Sequence, residues 1–312
     1  MRRTHATGII PLAFALSACS AGGGDAPGGP SGTGGGTSAD AGFDVLQTGG
    51  SGGSLLDAAP GDAVQVPVGE VYAHSDTTLY KLEPISKTVT VVGDFDCLAT
   101  TGSGAGMWDI AIDKVGLMVG TAATISSASL VRIDRHTAHC DVIVTTSSLP
   151  NSLAFVPAGT LDPNEEVLVG FDRSKYVRID KATGAVTEIG SLNPNDTSKF
   201  WESSGDIVSI IDDKTYATVK PQMGGTDYGT DTIVEIDPKT GRALAEIGNT
   251  GFYGLWGLGY WGGVAYGFSE GGELCEIDLG TGKGTKIPIS NLSGLSFWGA
   301  GVTTSAPIEM PK

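Results

Sequence analysis

The chain has 312 residues, 35 of them acidic and 19 basic, for a formal charge of −16. An acidic balance with no basic stripe excludes nucleic acid and electrostatic docking on anionic lipid, and helical periodicity is nearly absent. What this balance does fit is solubility outside the cell.

Residues 1–18 read as a secretory signal. Arg2 and Arg3 precede a short apolar stretch from Ile9 to Leu16, too short to span a bilayer, and small residues follow at a cleavage position. The order Leu16-Ser17-Ala18-Cys19 resembles the lipobox of bacterial lipoproteins. That resemblance implies cleavage before Cys19 and acylation of Cys19 with palmitate-type chains, each buried CH2 adding about 0.8 kcal/mol to membrane anchorage. It also implies a place in the cell envelope. Ser20 stands where an aspartate retains many lipoproteins at the inner membrane, so the outer membrane is the expected location.

From Cys19 to residue 65 the composition collapses to Gly, Ser, Ala, Thr, Pro and Asp. Such a segment cannot offset its chain entropy and is expected to be a tether, with a span of roughly 35 Å for about 40 residues. Residues 66–307 then provide a stretch long enough for one domain with a real core, and 308–312 form a tail.

Within this domain one pattern recurs five times: LYKLEPISKTVTVVG (79–93), LVRIDRHTAHCDVIV (130–144), YVRIDKATGAVTEIG (176–190), IVEIDPKTGRALAEIG (233–248) and LCEIDLGTGKGTKIPI (274–289). The acidic position falls at Glu83, Asp134, Asp180, Asp237 and Asp278, at spacings of 51, 46, 57 and 41 residues. That is the period of a four-stranded propeller blade. In Asp180–Gly184, Asp237–Gly241 and Asp278–Gly282 the Asp is placed to accept turn amides and the Gly to take positive φ, so the unit is a hairpin between the third and fourth strands. Glu83 and Asp134 head degenerate copies. The pattern resembles the I-D-x-x-T-G blades of NHL-type and related extracellular propellers, a resemblance that implies an all-β propeller and leaves function open.

The ring closes through the C-terminal run LSFWGAGVTT (295–304). A ring has no free edge only if the last strand completes the first blade. Five four-stranded blades follow, with 297–303 as the innermost strand of the blade that contains Glu83. Six blades would require the region from Phe43 to Pro67 to fold as well.

The five innermost strands align as MWDIAI (107–112), PNSLAF (150–155), SGDIVS (204–209), LWGLGY (255–260) and FWGAGV (297–302). Their starts ring one mouth of the channel, which places Trp108, Asp109, Asn151, Asp206, Trp256 and Trp298 together. Loops on the same face bring Trp201, Tyr228 and Tyr253. Flat aromatic faces beside amide and carboxylate groups suit a glycan, a small ligand or a partner protein. The competing reading is that the recurrent tryptophans wedge neighbouring blades. Trp201, in an irregular loop that the repeat does not require, is the strongest candidate for partner contact.

Asp109 and Asp206 share a register on different blades, and either hold Ca2+ together or each cap amides of a neighbouring strand. No other cofactor is expected. Of four histidines, only His74 falls near the mouth, so a His-based zinc site or a Ser-His-Asp arrangement lacks parts. A non-catalytic, monomeric binding module is therefore expected, with a metal-dependent hydrolase or lyase using Asp109, Asp206 and His74, or a scaffold of an envelope complex, as alternatives. After Cys19, Cys97 and Cys140 are the plausible disulfide, and Cys275 is a small buried hydrophobe.

Overall fold

The computed structural model describes residues 69–193, 200–221 and 229–311. The signal peptide, Cys19, the tether and Tyr228 lie outside these residues.

The first strands are β1 (Val71–His74), β2 (Thr78–Glu83) and β3 (Thr88–Asp94), followed by one turn of helix, α1 (Leu98–Thr101). The second blade is β4 (Gly106–Ile112), β5 (Met118–Ala123), β6 (Ala128–Ile133) and β7 (Cys140–Thr146). The third is β8 (Leu153–Val156), β9 (Val167–Asp172), β10 (Lys175–Ile179) and β11 (Val186–Ser191). The fourth is β12 (Trp201–Ser209), β13 (Thr215–Pro221), β14 (Thr232–Ile236) and β15 (Ala243–Asn249). The fifth is β16 (Leu255–Trp261), β17 (Val264–Ser269), β18 (Leu274–Ile277) and β19 (Gly284–Ile287), leaving β20 (Gly299–Val302).

These strands form five antiparallel four-stranded sheets, and β20 pairs with β1, from His74 opposite Gly299 to Val71 opposite Val302. The last strand thus completes the first blade, as the leftover C-terminal run predicts. The inner strands β4, β8, β12, β16 and β20 touch in a closed circuit. The fold is a five-bladed β-propeller.

Burial explains why inner and outer strands read so differently in sequence. Every residue of β5 is buried, because a blade's two faces both pack on neighbours, whereas most of β15 is exposed or half-buried. Each apolar cluster lies between blades. Tyr72 and Leu79 of the first meet Met107 and Met118 of the second, and Phe171 and Tyr176 of the third meet Ile207 and Val219 of the fourth. Full burial of such a side chain contributes about 1.5–3 kcal/mol, so blade-to-blade contact holds the ring together.

The hairpin acids are turn caps. Asp180 accepts the amides of Ala182 and Thr183 at 2.9 and 2.8 Å, and Gly184 takes φ +65°. The degenerate hairpins put Lys87 and Ala138 in the same left-handed region, at φ 59° and 63°.

The repeat's terminal glycine has a separate cause. A Cβ on Gly190, the penultimate residue of β11, would sit 1.8 Å from the Thr240 carbonyl oxygen of the next hairpin, and one on Gly248 would sit 2.1 Å from that of Thr281. Strands rotate by about 20–25° each, so by the fourth strand the chain runs around the ring into the next blade's hairpin.

That twist also resolves the disulfide. Cys97, just before α1, and Cys140, at the start of β7, are bonded with Cα atoms 5.2 Å apart. Cys97 follows an outer strand and Cys140 begins one, and the two meet because the end of β3 lies against the hairpin of the second blade, with Gly93 against Thr137. Asp96 fixes the junction by accepting the Cys140 amide at 2.9 Å and bonding His139 Nδ1 at 2.6 Å.

Candidate functional site

The mouth of the channel is built from bulges. The register of β4 on β5 slips between Met107 and Asp109, and that of β16 on β17 slips between Leu255 and Gly257. The unpaired residues are Trp108 and Trp256. In β12 the slip spans Ser203 to Ile207, which frees Ser204 and Gly205 from the ladder. A bulge re-aims a side chain out of the pleat, and here it turns indoles and hydroxyls toward the channel axis. Trp298, just before β20, is placed by its amide donating to the His74 carbonyl at 2.7 Å.

Together these residues line a cavity of about 240 Å3 with Trp108, Asn151, Ser203, Ser204, Gly205, Trp256 and Trp298 in its wall. Trp256 and Trp298 meet edge to face, centroids 5.8 Å apart at 87°. The indoles come from the fifth, first and second blades, which are consecutive around the ring, and the polar groups come from the third and fourth. One arc of the wall is therefore aromatic and the other is amide and hydroxyl. Ser203 Oγ donates to the Gly205 carbonyl at 3.3 Å, whereas Ser204 Oγ is buried without a hydrogen-bond partner.

Below the cavity, Asp109 and Asp206 are fully buried. An innermost strand has amides that face the channel with no partner strand, and these carboxylates satisfy them. Asp109 accepts Leu153 at 2.6 Å through Oδ2 and Ile110 at 2.9 Å through Oδ1, while Asp206 accepts Leu258 at 2.9 Å and Ile207 at 2.7 Å. Asp231 does the same for Leu255 at 2.7 Å, and Lys220 stands 3.6 Å from its other oxygen.

Burial, then the facing Asp206 carboxylate, raises the Asp109 carboxyl well above the usual range, and burial raises Asp206 as well. His74, also fully buried, is pushed down to about 4 by desolvation, against the bond its Nδ1–H donates to the Ser75 carbonyl at 2.7 Å. Its Nε2 lies 3.8 Å from Asp109 Oδ1 and has no hydrogen-bond partner.

The capping alternative for this pair is the one the geometry displays: all four oxygens accept backbone amides. Among the described residues no three His, Cys, Asp or Glu side chains are arranged to hold a metal.

The placement of Trp201 in an irregular loop is corrected. It begins β12, paired with Pro221, and is only 8 % exposed in the core between the third and fourth blades. Asn193 clamps it there, its amide group donating to the Trp201 carbonyl at 2.6 Å and accepting the Trp201 amide at 2.9 Å. Tyr253 is 63 % exposed and does not line the cavity.

Sequence reasoning missed Ser203, Ser204 and Asp231. A bulge carries no periodicity of its own, and Asp231 lies outside the repeated hairpin. The doublets Trp108-Asp109 and Trp256-Gly257, at strand starts, were the available signal.

No protein-family profile matches the chain, and no curated protein matches it. Solved structures with similar folds include a chain of the nidogen/laminin complex, at 10% identity and TM-score 0.43, covering 77% of this chain and 100% of that one. Another is oligogalacturonate lyase in complex with manganese, at 10% identity and TM-score 0.35, covering 73% of this chain and 64% of that one. BamB from Moraxella catarrhalis matches at 14% identity and TM-score 0.32, covering 68% of this chain and 62% of that one.

Proposed function

We propose that this chain is an envelope lipoprotein, anchored through Cys19, whose propeller mouth captures a small organic ligand without chemistry. The supporting observation is the wall of the cavity itself: three indoles set by bulges and by the ring closure, opposed by Asn151 and Ser204 around about 240 Å3. A purely structural wedge has no need of an open cavity between the indoles and the polar arc. Pockets of this kind take a ligand with one apolar face and a few polar groups.

A hydrolase or lyase reading draws no support from the geometry. His74, Asp109 and Asp206 have no exposed surface and form no part of the cavity wall.

The test is a thermal-shift screen of the full-length chain against sugars, amino acids, organic cations and short peptides. A ligand at 100 times its Kd stabilises the fold by about 2.7 kcal/mol. A hit is expected, and it should vanish in Trp256→Leu while the unliganded melt is retained. A hit that persists in Trp256→Leu would place binding elsewhere. Incorporation of labelled palmitate, lost in Cys19→Ser, tests the anchor.

A further inference from the structure

The ligand class follows from what the wall offers and what it withholds. Tryptophan is the aromatic side chain that attracts a cation most strongly, and Trp108, Trp256 and Trp298 present an unbroken aromatic arc over three consecutive blades. No basic or acidic side chain lines the cavity among the described residues. Lys220 is turned to Asp231, 3.6 Å away.

Acidic groups adjoin the arc without lining it: Asp109 follows Trp108 and Asp206 follows Gly205 in the chain. At the rim, the Oε2 of Glu270 is 3.5 Å and the Nε1 of Trp256 is 3.8 Å from the point a Cβ on Gly254 would occupy. The whole chain carries −16 and steers cations toward it.

The form of the cation is decided by hydrogen bonds. A primary ammonium brings three donors, and an indole wall gives them no acceptors, which is costly once water is excluded. A quaternary, fully alkylated ammonium brings none. A neutral sugar needs many oriented partners, yet Ser203 is already engaged with Gly205, which leaves Asn151 and Ser204.

We infer that the mouth binds an organic cation bearing a quaternary methylammonium group, seated in the arc of Trp108, Trp256 and Trp298, with its polar end toward Asn151. This rests on the reading of the mouth as a small-ligand site and names its ligand class.

The experiment is a titration of intrinsic tryptophan fluorescence in the full-length chain with choline, tetramethylammonium, the uncharged choline isostere 3,3-dimethyl-1-butanol, glucose and N-acetylglucosamine. Choline and tetramethylammonium should bind saturably, with the isostere weaker by about tenfold. Trp298→Leu should weaken choline by a similar factor. Glu270→Gln, at an exposed position that leaves the fold intact, should weaken it by about twofold to threefold. Glycerophosphocholine separates the sources: saturable binding of it assigns a lipid-derived headgroup, and binding of free choline alone assigns the free cation. Equal affinity for choline and its isostere, or saturation by a sugar with none by choline, would overturn the cation inference while keeping the ligand site. No response to any probe, charged or neutral, would sink both.

Discussion

Asp109 reaches across a blade boundary to accept the amide of Leu153, the first residue of the third blade's inner strand, at 2.6 Å. Asp206 does the same for Leu258 of the fifth blade. The acids beneath the mouth thus hold neighbouring inner strands in register, and the indoles stand directly above them.

Removing one of these caps orphans amides that cannot reach water. Asp206→Ala leaves Leu258 and Ile207 without side-chain acceptors, and each buried unpaired donor costs about 1–3 kcal/mol. Urea unfolding should show a loss of about 2–5 kcal/mol with the m-value unchanged.

The same cluster gives stability an unusual pH dependence. His74 titrates at about 4 folded against 6.5 unfolded, so its contribution is complete above pH 6.5 and is lost as pH falls toward 4, about 3 kcal/mol in all. The Asp109–Asp206 pair is raised, so its contribution is complete below the ordinary carboxylate range and declines as pH rises through the folded value. His74→Asn should flatten the acid side of the stability profile, and Asp206→Asn should flatten the decline on the other side. Urea melts at a series of pH values check both.

The disulfide closes a loop of 43 residues between the first two blades. The chain-entropy relation gives about 4 kcal/mol for a loop of this size. Cys97→Ser with Cys140→Ser, or dithiothreitol treatment, should lower the melting temperature by several degrees, and Cys275→Ser should remain oxidisable at the other pair.

Gly190→Ala forces a methyl onto the Thr240 carbonyl and should cost about 2–3 kcal/mol, as overpacking does. Gly159→Ala is no clean control, because φ +88° adds strain there. Gly271→Ala, whose nearest neighbour is a serine hydroxyl at 3.7 Å, should be close to neutral.

The propeller was legible because each blade writes its third-to-fourth-strand hairpin in the same letters, and a leftover C-terminal strand has one place to go. Five residues of the cavity wall were legible through the strand alignment, since Trp108, Asn151, Gly205, Trp256 and Trp298 share a column. Trp201 misled because an irregular approach in sequence hid a strand that starts three residues before its aligned counterparts, held by the Asn193 clamp. The disulfide geometry was obscured by twist, which a linear register does not express. The bulges that aim Trp108 and Trp256 come from backbone pairing and leave no trace in composition.

The central claim is that the tryptophan-lined mouth is a ligand site. Its most direct measurement is the 15N-indole spectrum of the chain, in which each of the five tryptophans contributes one side-chain signal. Saturation with a ligand found by the thermal screen should shift the signals of Trp108, Trp256 and Trp298 and leave those of the core residues Trp201 and Trp261 in place. Shifts confined to Trp201 or Trp261, with the three mouth signals unmoved at saturation, would contradict it.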